Sequence, residues 1–176
     1  LAVYNGQTPQ QPVEALYVFP LPDDSAVHDM TMTAGNRVIR ANIQNMLAMY
    51  AEQPFSPPGV RNHIEYRPLE GFVFAVSPFN FVSTANLAFG PALLGNTVVW
   101  KPAESQLLAA WRTYELLEEA GLPPGVINFI PGLGHDKTNI LLDHPELAGI
   151  HFTGSTDVFR MMWRRVADNI DKYKSY

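Results

Sequence analysis

Residues 72–104 read FVFAVSPFNFVSTANLAFGPALLGNTVVWKPAE, and the fold turns on how this stretch is read. Residues 72–76 form a nearly continuous apolar run, short enough for a strand buried on both faces. Residues 84–94 read as a helix, and 97–100 as a second buried strand of the same kind. Downstream the pattern repeats. Apolar runs at 126–130 and 148–152 are separated by helical stretches at 106–120, which Gly121 stops, and at 137–143, and a last helix is expected over 157–170. Regular alternation of this kind calls for a parallel sheet with right-handed crossovers and helices on both faces. Such sheets bind ligands beyond the carboxyl ends of their strands.

Upstream of Phe72 the character changes. Residues 1–25 are rich in Pro and Gln and are expected to form an extended arm. Over 26–53 the positions Val38, Ile39, Ile43, Met46, Leu47 and Tyr50 recur at helical spacing, which predicts one amphipathic packing helix. Pro54, Pro57 and Pro58 end it, and 64–67 reads as a short strand before Pro68. The expected organisation is an arm and packing helix over 1–58, followed by part of a ligand-binding domain over 59–176.

Composition narrows the function classes. The chain has 176 residues, 47% hydrophobic and 16% charged, enough to bury one sizeable core. A net charge of −5 with no Lys/Arg block gives no electrostatic footprint for nucleic acid or an anionic membrane. No apolar run approaches the roughly 18 to 20 residues that span a bilayer. There is no cysteine, so a disulfide scaffold and a thiolate zinc site are excluded. His28, His63, His135, His144 and His151 show no metal-ligand spacing, and no metal is assigned.

Three short motifs sit where a strand hands over to a helix. In FTGS, Gly154 permits close backbone approach, and exposed N–H groups at the following helix would attract a phosphate; equally, Thr153 to Ser155 could be a plain turn with Ser155 as helix cap. In KPAE, Lys101 and Glu104 could bond ribose hydroxyls, the glutamate repelling a 2′-phosphate and so favouring NAD over NADP. The alternative is a pair of solvated residues, with Glu104 favourable at a helix start. In SPFNF, the amide of Asn80 could donate to a developing oxyanion, or Asn80 could cap a helix while Phe79 and Phe81 pack in the core. A G-x-G-x-x-G fingerprint is absent after the first clear strand, which disfavours a conventional dinucleotide domain.

Order and spacing together carry a resemblance. The stretches EYRPLEGFVFAVSPFNF, GPALLGNTVVWKPAE, EEAGLPPGVINFIPG and GIHFTGSTDVF resemble, in register over about a hundred residues, the aldehyde dehydrogenase superfamily. Within it they are most similar to the Δ1-pyrroline-5-carboxylate (L-glutamate γ-semialdehyde) dehydrogenases. The resemblance implies an α/β, Rossmann-like parallel sheet of the aldehyde dehydrogenase type, and NAD as cofactor. Asn80 would help form the oxyanion hole, and Ser77, Pro78 and Phe79 would line the nicotinamide end of the cleft. Lys101 and Glu104 would hold the adenosine ribose, Gly132 would let backbone approach the adenine side, and Gly154 and Ser155 would contact the pyrophosphate. The family's nucleophilic cysteine and its water-activating glutamate have no counterpart here. The chain is therefore expected to be part of an enzyme whose catalytic domain lies beyond Tyr176, inactive alone, with an aldehyde as substrate and a homo-oligomer as the full-length form. The mitochondrial matrix is the expected compartment in a eukaryote and the cytoplasm in a bacterium. The competing expectation is a truncated, non-catalytic nucleotide-binding or interaction module.

Overall fold

A computed structural model describes residues 26–132 and 135–174. The expected arm over 1–25 lies outside the described residues. In chain order the elements are α1 (Ala26–Ala51), β1 (Phe72–Ser77), α2 (Phe81–Leu93), β2 (Thr97–Pro102), α3 (Leu107–Glu119), β3 (Ile127–Phe129), α4 (His135–Leu142), β4 (Leu147–Phe152) and α5 (Thr156–Asp168). One-turn 3₁₀ segments, Glu104–Gln106 and Ile170–Lys172, lead into α3 and follow α5. The four strands form one parallel sheet in the order β3-β2-β1-β4.

That order follows from the apolar runs. Val73, Phe74 and Ala75 are all buried although successive side chains point to opposite faces, so β1 is covered on both sides. Ala75, Val98, Trp100 and Ile127 face one core with Leu87 and Phe89 of α2 and Ala110 and Leu117 of α3. Phe74 faces the other, with Leu142 of α4, Leu147 and Met162 of α5. The chain therefore steps from β1 to β2 to β3 with α2 and α3 on one face. It then crosses back over the opposite face with α4, to place β4 on the far side of β1. The strand order reverses between β1 and β4, the position at which doubly wound sheets open a crevice.

The amphipathic reading of α1 holds at Met46, which is buried, and α1 packs on α2, where the Asn42 amide donates to Asn86. The expected strand at 64–67 does not form. All of 61–67 is exposed, with no neighbouring strand to complete a ladder. Instead the Gln53 side chain stands in for a strand partner: its Oε1 accepts from the Ile64 N–H (3.0 Å) and its Nε2 donates to the Ile64 carbonyl (3.2 Å). The strand expected over 126–130 shortens to Ile127–Phe129 because it is an edge, with Asn128 exposed.

The end of α5 is clipped to the end of α4. Arg165 forks onto both carboxylate oxygens of Asp143, and the Asn169 amide adds a third donor at 2.7 Å. The Arg165 hydrogen bond holds the Asp143 carboxyl below its ordinary value of 3.8, against partial desolvation, and holds the Arg165 guanidinium above its own. A carboxyl lowered in the folded state stabilises it above the unfolded-state pKa, and that contribution is lost as pH falls through the lowered value. Arg165→Met is thus expected to melt below wild type at neutral pH. The gap in Tm should narrow as pH is taken below the ordinary Asp value, which thermal melts across a pH series measure.

Candidate functional site at the carboxyl edge of the sheet

The three motifs come together on one edge. Beyond the last ladder pairs, each strand end is tied to its neighbour by a further backbone bond. Ala103 N–H donates to the Ser77 carbonyl (3.0 Å), Thr153 N–H to Val76 (3.3 Å) and Ile130 N–H to Trp100 (2.9 Å). SPFNF, KPAE, FTGS and the turn through Gly132 are therefore side by side. What the sequence separates by dozens of residues, the parallel register brings together.

At the end of β1, Ser77 is turned inward. It is 2% exposed, and its Oγ accepts from the indole Nε1–H of the fully buried Trp100 at 2.9 Å. Its hydroxyl thus satisfies the one polar atom of a core tryptophan, which burial would otherwise leave unbonded at a cost of about 1–3 kcal/mol. Pro78 is half-buried, whereas Phe79 is 70% exposed, an apolar ring just beyond the end of β1. Asn80 is exposed and occupies the N-cap position of α2 with extended backbone (φ −82°, ψ 128°), yet its side chain makes no capping hydrogen bond. The capping explanation for this asparagine is not realised in the geometry.

At the end of β2, Pro102 is fully buried and fixes the strand end in the sheet. By alternation, Lys101 shares the face of Val99, which packs in the α4/α5 core. Lys101 is half-buried and Glu104, the first residue of the 3₁₀ turn, is exposed. Glu104 also sits in the first turn of that segment, where a carboxylate is favourable, so both readings of it remain compatible with its place.

At the end of β4 the capping reading of Ser155 is realised: its Oγ accepts from Val158 N–H at 3.3 Å at the start of α5. Other first-turn N–H groups have no intrahelical acceptor, as at any helix start. Gly154 is pressed against the Phe152 ring. A Cβ there would lie 2.6 Å from the ring's Cζ, so a side chain could enter only by displacing the aromatic at the base of the turn. At the end of β3, Gly132 has φ +48°, a left-handed conformation that favours glycine, and the space its Cβ would fill is open.

Among the described residues no group of three or more His, Asp or Glu could hold a metal ion, and no helix is long and apolar enough to cross a membrane. The histidines serve locally: the His144 Nδ1 accepts from Glu146 N–H (3.1 Å), and His151 bonds to α2. Away from the carboxyl edge, an open cleft of about 520 Å³ lies between α1, α2 and β4, with Met46, Asn86, Pro91 and His151 in its wall. Pro91 inside α2 and its relation to His151 are absent from the sequence-based expectations. A proline spaced four residues after an apolar helical position was the available signal.

Comparison with known proteins gives this edge its context. The mitochondrial delta-1-pyrroline-5-carboxylate dehydrogenase of Emericella nidulans is 52% identical over 132 residues, which is 73% of this chain and 23% of that relative. The chain spans about a quarter of the length of the curated relatives it matches. A crystal structure of the Delta-pyrroline-5-carboxylate dehydrogenase from Mycobacterium tuberculosis superposes with a TM-score of 0.75 at 53% identity, covering 78% of this chain and 26% of that one. The same enzyme bound with NAD gives 0.71 at 50% identity, with the same coverage. The family model described as "Aldehyde dehydrogenase family" matches residues 23–175. With nearly the whole chain inside that match, and its motifs converging on one sheet edge, the chain belongs to the aldehyde dehydrogenase family.

Proposed function

We propose that this chain provides the cofactor-binding part of an NAD-dependent dehydrogenase that oxidises L-glutamate γ-semialdehyde, the open form of Δ1-pyrroline-5-carboxylate, to L-glutamate in proline degradation. The observation that carries the substrate is the run of relatives bearing that name at 43–52% identity, from fungi to mammals. The domain reading goes with it: arm and packing helix over 1–58, NAD-binding domain over 59–176.

The strand-end residues fit a dinucleotide on structural grounds. Gly132 leaves open the volume a side chain would fill, and Gly154 lets the backbone of the turn before α5 lie against the Phe152 ring. Lys101 and Glu104 would hold the adenosine ribose, the lysine donating and the carboxylate accepting. Gly154 and Ser155 would present the first turn of α5 to the pyrophosphate, where backbone N–H groups favour an anion. Pro78 and Phe79 would wall the nicotinamide end, with Ser77 holding that strand end through Trp100. Asn80 would donate to the oxygen of the reacting carbonyl. Bound there, NAD supplies a hydride acceptor. These 176 residues hold no cysteine, so on this reading the nucleophilic thiol of the family's chemistry would be supplied by another part of the protein. The same fact favours one other reading, that the chain acts alone as a nucleotide-binding module.

Purified complete protein, given Δ1-pyrroline-5-carboxylate and NAD, is expected to form reduced cofactor and glutamate. Absence of both, with NAD still bound, would favour the module. We expect the complete enzyme to be a homo-oligomer, which light scattering checks. Its compartment would be the mitochondrial matrix in a eukaryote and the cytoplasm in a bacterium. Glu104→Ala is expected to raise KM for NAD by roughly tenfold and to narrow the preference over NADP, because it removes both an acceptor for the 2′-OH and a repulsion of the 2′-phosphate. Steady-state kinetics with the two cofactors measure it.

A further inference from the structure

Pro91 lies inside α2 and has no N–H, so the carbonyl of Leu87, one turn earlier, loses its helical donor. That carbonyl is not left bare. The His151 Nδ1, from near the end of the neighbouring β4, sits 2.9 Å from the Leu87 oxygen. A carbonyl can only accept, so Nδ1 carries the proton. The imidazole packs against the helix at Gly90, where a Cβ would stand 3.7 Å from its Cε1. Around the same break, the Asn96 amide donates to the Pro91 carbonyl (3.0 Å) while its Oδ1 accepts from Leu69 N–H (2.9 Å) at the approach to β1. The helix defect is thus bridged to β4 and to the segment that enters β1.

We infer that His151 is a positioning residue for the site: its Nδ1–H replaces the donor removed by Pro91 and locks α2, with Asn80 at its head, in register with the β4 turn that carries Gly154 and Ser155. Leu87 lies about two helical turns below Asn80 and on the same side of α2, and His151 immediately precedes Phe152 in β4. One hydrogen bond therefore joins the oxyanion end of the cleft to its pyrophosphate end. The inference rests on the dehydrogenase reading for its kinetic consequence, but not for the bond itself.

The test uses the complete protein. His151→Leu removes the donor and is expected to lower kcat about tenfold while KM for NAD changes by less than about threefold. His151→Asn, whose Nδ2–H can occupy the position of Nδ1–H, should retain most of the activity. Pro91→Ala restores a backbone donor to Leu87, so in that background His151→Leu should recover most of what it lost. Equal losses for His151→Leu in the wild-type and Pro91→Ala backgrounds, in both kcat and Tm, would overturn the proposal. So would a ¹⁵N spectrum showing the His151 proton on Nε2, a measurement on wild type that needs no variant to fold. If the complete protein oxidises no aldehyde, the functional reading fails, and the Tm cycle and the tautomer still decide the bridge.

Discussion

Asn80→Ala in the complete enzyme is expected to lower kcat by about two to three orders of magnitude, with Tm and NAD affinity close to wild type. The separation of the two effects comes from the geometry. An asparagine that caps a helix through its side chain loses about 1 kcal/mol of stability on truncation. Asn80 stands at the N-cap position of α2 without making that bond, so its removal does not carry the cost of a lost cap. Under the proposed function, this exposed amide at the end of β1 would instead donate to charge that develops on a bound carbonyl oxygen. Asn80→Asp should be at least as damaging, since a carboxylate of the same shape would repel that charge. Steady-state kinetics with melting curves check both variants. A fall in Tm with kcat unchanged would return Asn80 to a purely structural role.

Gly71→Ala, just before β1, should be strongly destabilising, by more than about 3 kcal/mol, lowering Tm by roughly 6 °C or more. Gly71 has φ +110°, a conformation L side chains rarely adopt, and a Cβ there would lie 2.1 Å from the Glu146 carbonyl oxygen. That same oxygen accepts from Phe72 N–H at 2.9 Å, the first bond joining β1 to the segment entering β4. Relief of the clash would have to part the two strands at the point where their register already shifts, between Phe72 and Val73. Because β4 leads directly to Gly154 and Ser155, NAD affinity should fall along with stability. Denaturant titration and NAD binding on the same preparation measure the two losses.

The fold was legible where a single chemical demand was repeated. Continuous apolar runs such as 72–76 can be satisfied only by burial on both faces, and the alternation with helices left little choice of topology. The strand expected at 64–67 failed for the converse reason. Its pattern matched a strand, but a strand also needs a partner, and none of the neighbouring described segments supplies one. At the site, the strand ends could be located from Ser77, Lys101 and Phe152, because motif and strand end coincide. What each side chain does there was not legible. The inward turn of Ser77 depends on Trp100 in the next strand, and the bond of His151 to Leu87 depends on a proline in a different element. Pairings between elements follow from the sheet register, which no local window of sequence contains.

A crystal structure of the complete protein with NAD would decide where the cofactor sits. The adenosine ribose is expected between Lys101 and Glu104, the pyrophosphate at the first turn of α5 beside Gly154 and Ser155, and the nicotinamide towards Pro78, Phe79 and Asn80. NAD seated away from the carboxyl ends of β1, β2 and β4, for example in the cleft between α1, α2 and β4, would contradict the proposed function of this edge.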